Sequence, residues 1–223
     1  MLDDRMSMAA HQGAEGVSLD LTVLIPALNE ASNLESLLPD VGRVLRRMPI
    51  ASEIVVVDGG SGADTEPLVE RMGARFVRQS GPGYGGALAE GFAAARGRYV
   101  LTMDADFSHE PGFLPTLWDG REEADLLVAS RYVTGGSAES GVFRSLLSRV
   151  LNGVYRRFLR LPFRDLSSGF RLYRMEALER VKARGRDFEY LPEVLVLLYV
   201  AGLRIREVPF HYRPRRDQSP YRQ

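Results

Sequence analysis

Two aspartates one residue apart, Asp104 and Asp106, end the apolar run in YVLTMDADFSHEP (residues 99–111). Carboxylates set together at a strand end offer hard oxygen ligands to a divalent cation, which commonly keeps substrate phosphates in its shell. The pattern therefore suits a divalent cation held against a diphosphate. Asp58 closes a second apolar run, EIVVVD (53–58), and is followed by a glycine turn. A carboxylate there either accepts hydrogen bonds from a ribose or base edge or only shapes the turn, as Asp before Gly often does. Asn29 and Glu30, in PALNE (26–30), form a third polar exit from an apolar run. His109 is either a further ligand or a hydrogen-bonding cap, and a lone histidine in a turn is more often the second.

The elements that must position these residues follow from hydrophobic spacing. Strands are expected at Leu21–Ile25, broken at Pro26, and at 53–58, 74–79, 98–104 and 125–132. Leu34, Leu37, Leu38, Val41, Leu45 and Met48 recur at helical spacing. Asp64 is placed to cap a helix running through Met72, GPGYGGALAEGFAAARG holds a glycine loop and an Ala-rich helix, and PGFLPTLWDG suggests a short helix. Strands alternating with helices imply a mostly parallel sheet covered on both faces. Such sheets bind ligands outside the carboxyl ends of their strands, where Asn29, Glu30, Asp58, Asp104 and Asp106 converge. Beyond them, 142–161 reads as a long helix with an apolar face and an arginine face. DLSSGFRLYR (165–174) reads as a turn entering a strand, and LRIREVPFHY (203–212) as the last strand after two further helices. Residues 1–18 are expected to be a mobile leader, and 19–223 a single domain.

Composition narrows the function. The chain has 223 residues, 45% hydrophobic, with 29 basic and 29 acidic side chains. Balanced charge argues against a general nucleic-acid binder. Nearly all the basic charge is arginine, Lys182 being the only lysine. The absence of cysteine excludes thiolate metal sites, disulfides and cysteine nucleophiles. No segment resembles a signal peptide, and the apolar stretch near Leu191–Leu203 is too short to cross a bilayer. The expectation is a cytoplasmic protein, peripheral on the membrane face if it meets the membrane at all. Helix 142–161 is the candidate contact, its arginine stems and apolar side chains suiting an interface; packing on the sheet with a solvated arginine face accounts for the same pattern.

Six segments in order carry a resemblance: PALNEASNLESLL, EIVVVDGGS, GGALAEGFAAARGRYVLTMDADFSHEP, VASRYVTGG, DLSSGFRLYR and AGLRIREVPFHYRPR. Over about residues 20–216 the chain resembles family 2 glycosyltransferases of the GT-A fold, most nearly the dolichol- or polyprenyl-phosphate mannose synthase group. The resemblance implies a Rossmann-like α/β sheet and a nucleotide-sugar donor, with Pro26, Ala27, Asn29, Glu30 and Asp58 around the nucleoside. Asp104 and Asp106 would hold Mg²⁺ or Mn²⁺ on the diphosphate, with Ser108, standing where the family often has Gln, as a further ligand. Arg131 matches a family arginine near the donor and acceptor phosphates. Arg144 and Ser148, one helical turn apart, match positions that hold a lipid phosphate, and Arg213 lies in the tail assigned to the same acceptor. The chain departs from the common pattern at Leu28, often Tyr, and Gly59, often Asp.

Expulsion of a nucleoside diphosphate builds negative charge that a metal ion and arginines stabilise. A hydroxyl acceptor needs a general base. A phosphate monoester, with a second pKa of about 6, is already largely ionised and needs positioning instead. Asp165 stands in two roles here: supporting acid near the reaction centre, or organiser of its turn and of Arg131. The expected function is an inverting, metal-dependent transfer of a hexose, first mannose from GDP-mannose, to a polyprenyl phosphate. The alternatives are another nucleotide sugar, a non-lipid acceptor, or a non-catalytic nucleotide-sugar binder. A nucleotidyltransferase would carry a Gly-rich, basic N-terminal loop, which PALNEASN is not.

Overall fold

A computed structural model describes residues 19–138 and 161–212. The expected leader at 1–18, the helix at 142–161 except for Leu161, and Arg144, Ser148 and Arg213 lie outside these residues. The described chain runs β1 (Leu19–Ala27), α1 (Ala31–Leu45), β2 (Ser52–Asp58), α2 (Thr65–Arg71), β3 (Arg75–Arg78), α3 (Tyr84–Ala94) and β4 (Gly97–Thr102). A 3₁₀ turn (Pro111–Phe113), α4 (Leu114–Asp119), β5 (Leu126–Ser130), β6 (Ser137–Ala138) and β7 (Arg171–Arg174) follow. It ends with α5 (Met175–Glu179), α6 (Tyr190–Val200), β8 (Ile205–Pro209) and β9 (His211–Tyr212).

Seven strands form one sheet in the order β3-β2-β1-β4-β7-β5-β8. All neighbours pair in parallel except β7, which is antiparallel to both β4 and β5. The period-2 geometry of strands divides their apolar residues between two cores. Val23, Ile25, Val56 and Leu101 join α1, α2 and α4 on one face. Leu24, Val55, Val57 and Val100 join α3, α5 and α6 on the other. Burial on both faces is why β2 reads as an unbroken VVV run. Each fully buried Val or Leu in these layers contributes about 1.5–3 kcal/mol.

Three expectations are corrected. Strand β1 does not stop at Ile25 but continues through Pro26, which pairs with Val57. Leu24 accepts from Met103 N–H on the β4 side, and alternation turns Pro26 to that same side. There the ladder has already ended at Leu24↔Thr102, so the N–H that proline lacks has no partner to lose. Asp64 does sit at the N-cap of α2, but its side chain makes no capping bond. The run 203–212 is two strands, β8 in the main sheet and β9 pairing with β6. Phe210 lies between them, its N–H donating to Ser130 O and its carbonyl accepting from Ser137 N–H.

Candidate active site

The carboxyl ends of β1 and β2 are stitched together. Gly59 N–H donates to Ala27 O at 2.8 Å, and Asn29 N–H donates to Ser61 Oγ at 2.7 Å. Asn29 takes the left-handed φ of 58°, a conformation its short side chain tolerates. Glu30 Oε2 accepts from Asn33 Nδ2 at the start of α1. Buried Asp58 uses one oxygen for its turn: Oδ2 accepts from Gly60 N–H at 3.0 Å and Ser61 N–H at 2.8 Å. Its other oxygen, Oδ1, is buried and has no hydrogen-bond partner. A buried acceptor without a donor is costly, and a ligand N–H or O–H arriving at this edge would satisfy it. Leu28, beside it, is 58% exposed.

The aspartate pair is held from below. Asp104 Oδ1 accepts from the Tyr84 hydroxyl at 2.9 Å, and Asp104 N–H donates to His109 Nδ1 at 2.9 Å. His109 is buried, stacked on Phe170 with ring centroids 4.8 Å apart. Burial lowers its pKa below the usual imidazole value. His109 is therefore a neutral residue fixing the strand exit, the capping role among the two expected for it. Asp106 Oδ1 accepts from both Ser108 N–H and Ser108 Oγ. Ser108 is buried behind Asp106, so its hydroxyl orients that carboxylate. The turn between them costs backbone strain, since Phe107 has φ 62°. The Asp104 side chain is 31% exposed, and two adjacent carboxylates form an all-oxygen donor set suited to Mg²⁺ or Mn²⁺. Among the described residues no three His, Asp or Glu side chains gather to enclose a cation. Two carboxylates would leave the rest of a divalent cation's shell to phosphate and water.

Across the edge, Asp165 is buried and spent on Arg131. Arg131 Nε donates to Oδ2 at 2.8 Å and a terminal nitrogen to Oδ1 at 2.7 Å, while its backbone N–H adds a third bond to Oδ2 at 3.0 Å. Asp165 Oδ1 also accepts from Ser168 N–H at 3.0 Å. Burial weakens the arginine's charge, but bonding to Asp165 more than offsets this, and its pKa stands above the ordinary value. Of the two roles expected for Asp165, the geometry is that of the organiser.

Two partners in this arrangement carry no signal in the sequence alone. Glu207, on β8, accepts from Ser130 Oγ at 2.8 Å, Asp165 N–H at 2.8 Å and Arg164 N–H at 2.9 Å. Tyr212, on β9, sets its ring edge-on to His109 with centroids 6.2 Å apart, and Arg131 lies 5.5 Å over its ring. Tyr212 thereby joins the carboxylate half of the site to the arginine half. Both residues fall in the segment AGLRIREVPFHYRPR, but only the tertiary fold shows what they touch.

The family model for glycosyl transferase family 2 matches residues 22–182, which span every element from β1 to α5. The chain belongs to glycosyl transferase family 2. Curated relatives of this family 2 chain include a polyprenol monophosphomannose synthase of Mycolicibacterium smegmatis, 35% identical over 86% of the chain and 77% of the relative. A dolichol-phosphate mannosyltransferase of Pyrococcus furiosus is 32% identical over 87% of the chain and 56% of the relative. Glycosyltransferase AglD of Haloferax volcanii is 30% identical over 92% and 35%. The family 2 chain therefore spans about half of the Pyrococcus protein and a third of the Haloferax one. Among solved structures, glucosyl-3-phosphoglycerate synthase from Mycobacterium tuberculosis superposes with a TM-score of 0.70 at 25% identity, over 90% of this chain and 73% of that one. That structure holds Mn²⁺, UDP and glucosyl-3-phosphoglycerate.

Proposed function

We propose that this family 2 chain is an inverting, metal-dependent glycosyltransferase that moves a hexose from a nucleotide sugar to a polyprenyl phosphate. Mannose from GDP-mannose is the first assignment, supported by the names of the Mycolicibacterium and Pyrococcus relatives. Pro26, Ala27, Asn29, Glu30 and Asp58 bind the nucleoside, Asp58 Oδ1 receiving a ligand donor. Asp104 and Asp106 hold Mg²⁺ or Mn²⁺, and Ser108 acts through Asp106. The cation supplies stabilisation of the charge that develops on the departing diphosphate. A phosphate oxygen of the acceptor attacks the anomeric carbon, the bond to the diphosphate breaks, and the configuration inverts. Arg131 binds phosphate in this step, while Arg144, Ser148 and Arg213 hold the acceptor phosphate. Contact with the cytoplasmic membrane face is peripheral; among the described residues no helix is long and apolar enough to cross a membrane.

One observation carries the acceptor class. Asp165, the leading candidate for an acid–base group, has both oxygens committed to Arg131 and its own turn. Such a carboxylate is badly placed to take a hydroxyl proton, whereas a phosphate acceptor arrives ionised and needs the arginine that Asp165 holds. A UDP-sugar donor with a small anionic acceptor is the second reading, favoured by the UDP and glucosyl-3-phosphoglycerate of the solved neighbour. Calorimetry with GDP-mannose, UDP-glucose and UDP-N-acetylglucosamine, each with and without Mn²⁺, separates the two. The preferred donor should then release its nucleoside diphosphate when polyprenyl phosphate is added. Binding without release for every acceptor would reduce the chain to a nucleotide-sugar binding module.

A further inference from the structure

Tyr84 has no role in the chemistry set out above, yet its hydroxyl meets one of the two strand-end aspartates directly. It donates to Asp104 Oδ1 at 2.9 Å, while Asp104 Oδ2 stands 3.7 Å from His109 Nε2. His109 Nδ1 accepts from the Asp104 N–H, so Nε2 carries the ring proton and faces that second oxygen. The carboxylate thus lies between two donors. The phenol secures one oxygen; the imidazole is poised to capture the other if the carboxylate turns.

We propose that Tyr84 is a positioning residue for the divalent cation: by securing Oδ1 it keeps Oδ2 of Asp104 off His109 and available as a metal ligand. This rests on the reading of the edge as a metal–diphosphate site. One ring contact and two glycine clearances leave the phenol where this role requires it. Its ring stacks on Phe188, with centroids 5.3 Å apart and planes 17° from parallel. Phe188 is otherwise 72% exposed, so bracing Tyr84 is a contact its position does have. The neighbouring segment can approach because Gly83, at φ 90°, has no side chain: a Cβ there would stand 2.1 Å from Arg186 O. At Gly169, just before β7, a Cβ would stand 2.7 Å from the Tyr84 hydroxyl and 3.2 Å from Asp104 Oδ1. The pair fits only because residue 169 carries no side chain.

Mn²⁺ binding, read from the EPR signal of the free ion in the presence of GDP or UDP, tests the assignment. Tyr84→Phe should weaken Mn²⁺ binding about tenfold or more, the effect of removing a hydrogen bond to a charged group. Its transfer rate should recover at high Mn²⁺, so that the metal requirement moves while kcat at saturation holds. A merely structural role would move the unfolding midpoint and leave the Mn²⁺ requirement unchanged. Phe188→Ala leaves the hydroxyl in place and should weaken Mn²⁺ binding by a smaller factor, about two- to tenfold; it decides the matter if Tyr84→Phe fails to fold. Native Mn²⁺ affinity in the folded variants, beside metal-dependent nucleotide binding by the native chain, overturns the role of Tyr84 alone. No Mn²⁺ uptake by the native chain with either nucleotide overturns the metal–diphosphate reading and this role with it.

Discussion

At the scale of single residues, each oxygen at the sheet edge is either already used or left for a ligand. Asp58 divides these duties between its two atoms, Oδ2 closing the turn and Oδ1 lacking a donor. Asp58→Asn keeps an acceptor for the turn but removes the charge. It should weaken nucleotide binding about tenfold while stability changes by no more than about 1 kcal/mol; calorimetry beside urea unfolding checks both halves, and unchanged binding would leave Asp58 a turn residue only. Asp106→Ala should lower metal-dependent transfer at least about a hundredfold without unfolding the chain, as losing a principal electrostatic stabiliser does. Full activity in that variant would remove Asp106 from the metal site. The types of these residues were legible in the sequence because strand-end carboxylates are conspicuous. The allocation of their individual oxygens was not, since Ser108 reaches Asp106 through a turn and Tyr84 reaches Asp104 across the fold.

At the scale of elements, β7 shows what patterning can and cannot say. DLSSGFRLYR reads readily as a turn and a strand, but nothing local tells that the strand inserts between β4 and β5 or runs against them. The reversal matters because it brings the entry of β7, residues 165–170, to the edge where the other strands exit. Arg171 anchors that entry from inside the protein. Fully buried, it donates from Nε to Ser168 O at 2.7 Å and from its terminal nitrogens to Leu166 O at 2.6 Å and Leu191 O at 2.7 Å. Arg171→Met fills similar space but removes three buried hydrogen bonds to carbonyls, and the loss should be at least about 3 kcal/mol. Urea unfolding gives the measurement; a loss below about 1 kcal/mol would show that the carbonyls find other partners. Pro26 teaches the opposite lesson, a local strand breaker that the sheet tolerates because its neighbour has already ended.

At the scale of the whole molecule, the alternation of strands and helices was enough to give a mostly parallel sheet with two cores, because the inner strands β2, β1, β4, β7 and β5 bury both faces. Helix faces and strand faces need only period to be recognised, whereas the meeting of Arg131, Asp165 and Glu207 needs the complete topology. A nucleotide with Mn²⁺ that binds only the folded state should stabilise it by about 2.7 kcal/mol at a hundred times its Kd. Thermal unfolding with GDP or UDP and Mn²⁺ should therefore shift upward, and EDTA should abolish the shift. A shift that survives EDTA would mean that the nucleotide is held without the cation.

Glu207 adds a constraint of time to one of space. The loop bearing Asp165 is secured by a residue 42 positions later in the chain, and Ser130 by the same residue 77 positions later. During synthesis β1 to β4 can emerge and pair among themselves long before β8 exists, since domains assemble from their N-terminal side as the chain lengthens. The support for Arg131 cannot be completed until Glu207 has left the ribosome. A nascent chain can therefore complete the β1–β2 edge that carries Asp58 early, while the support of Arg131 is completed late, so the two halves of the strand-end site are finished at different times.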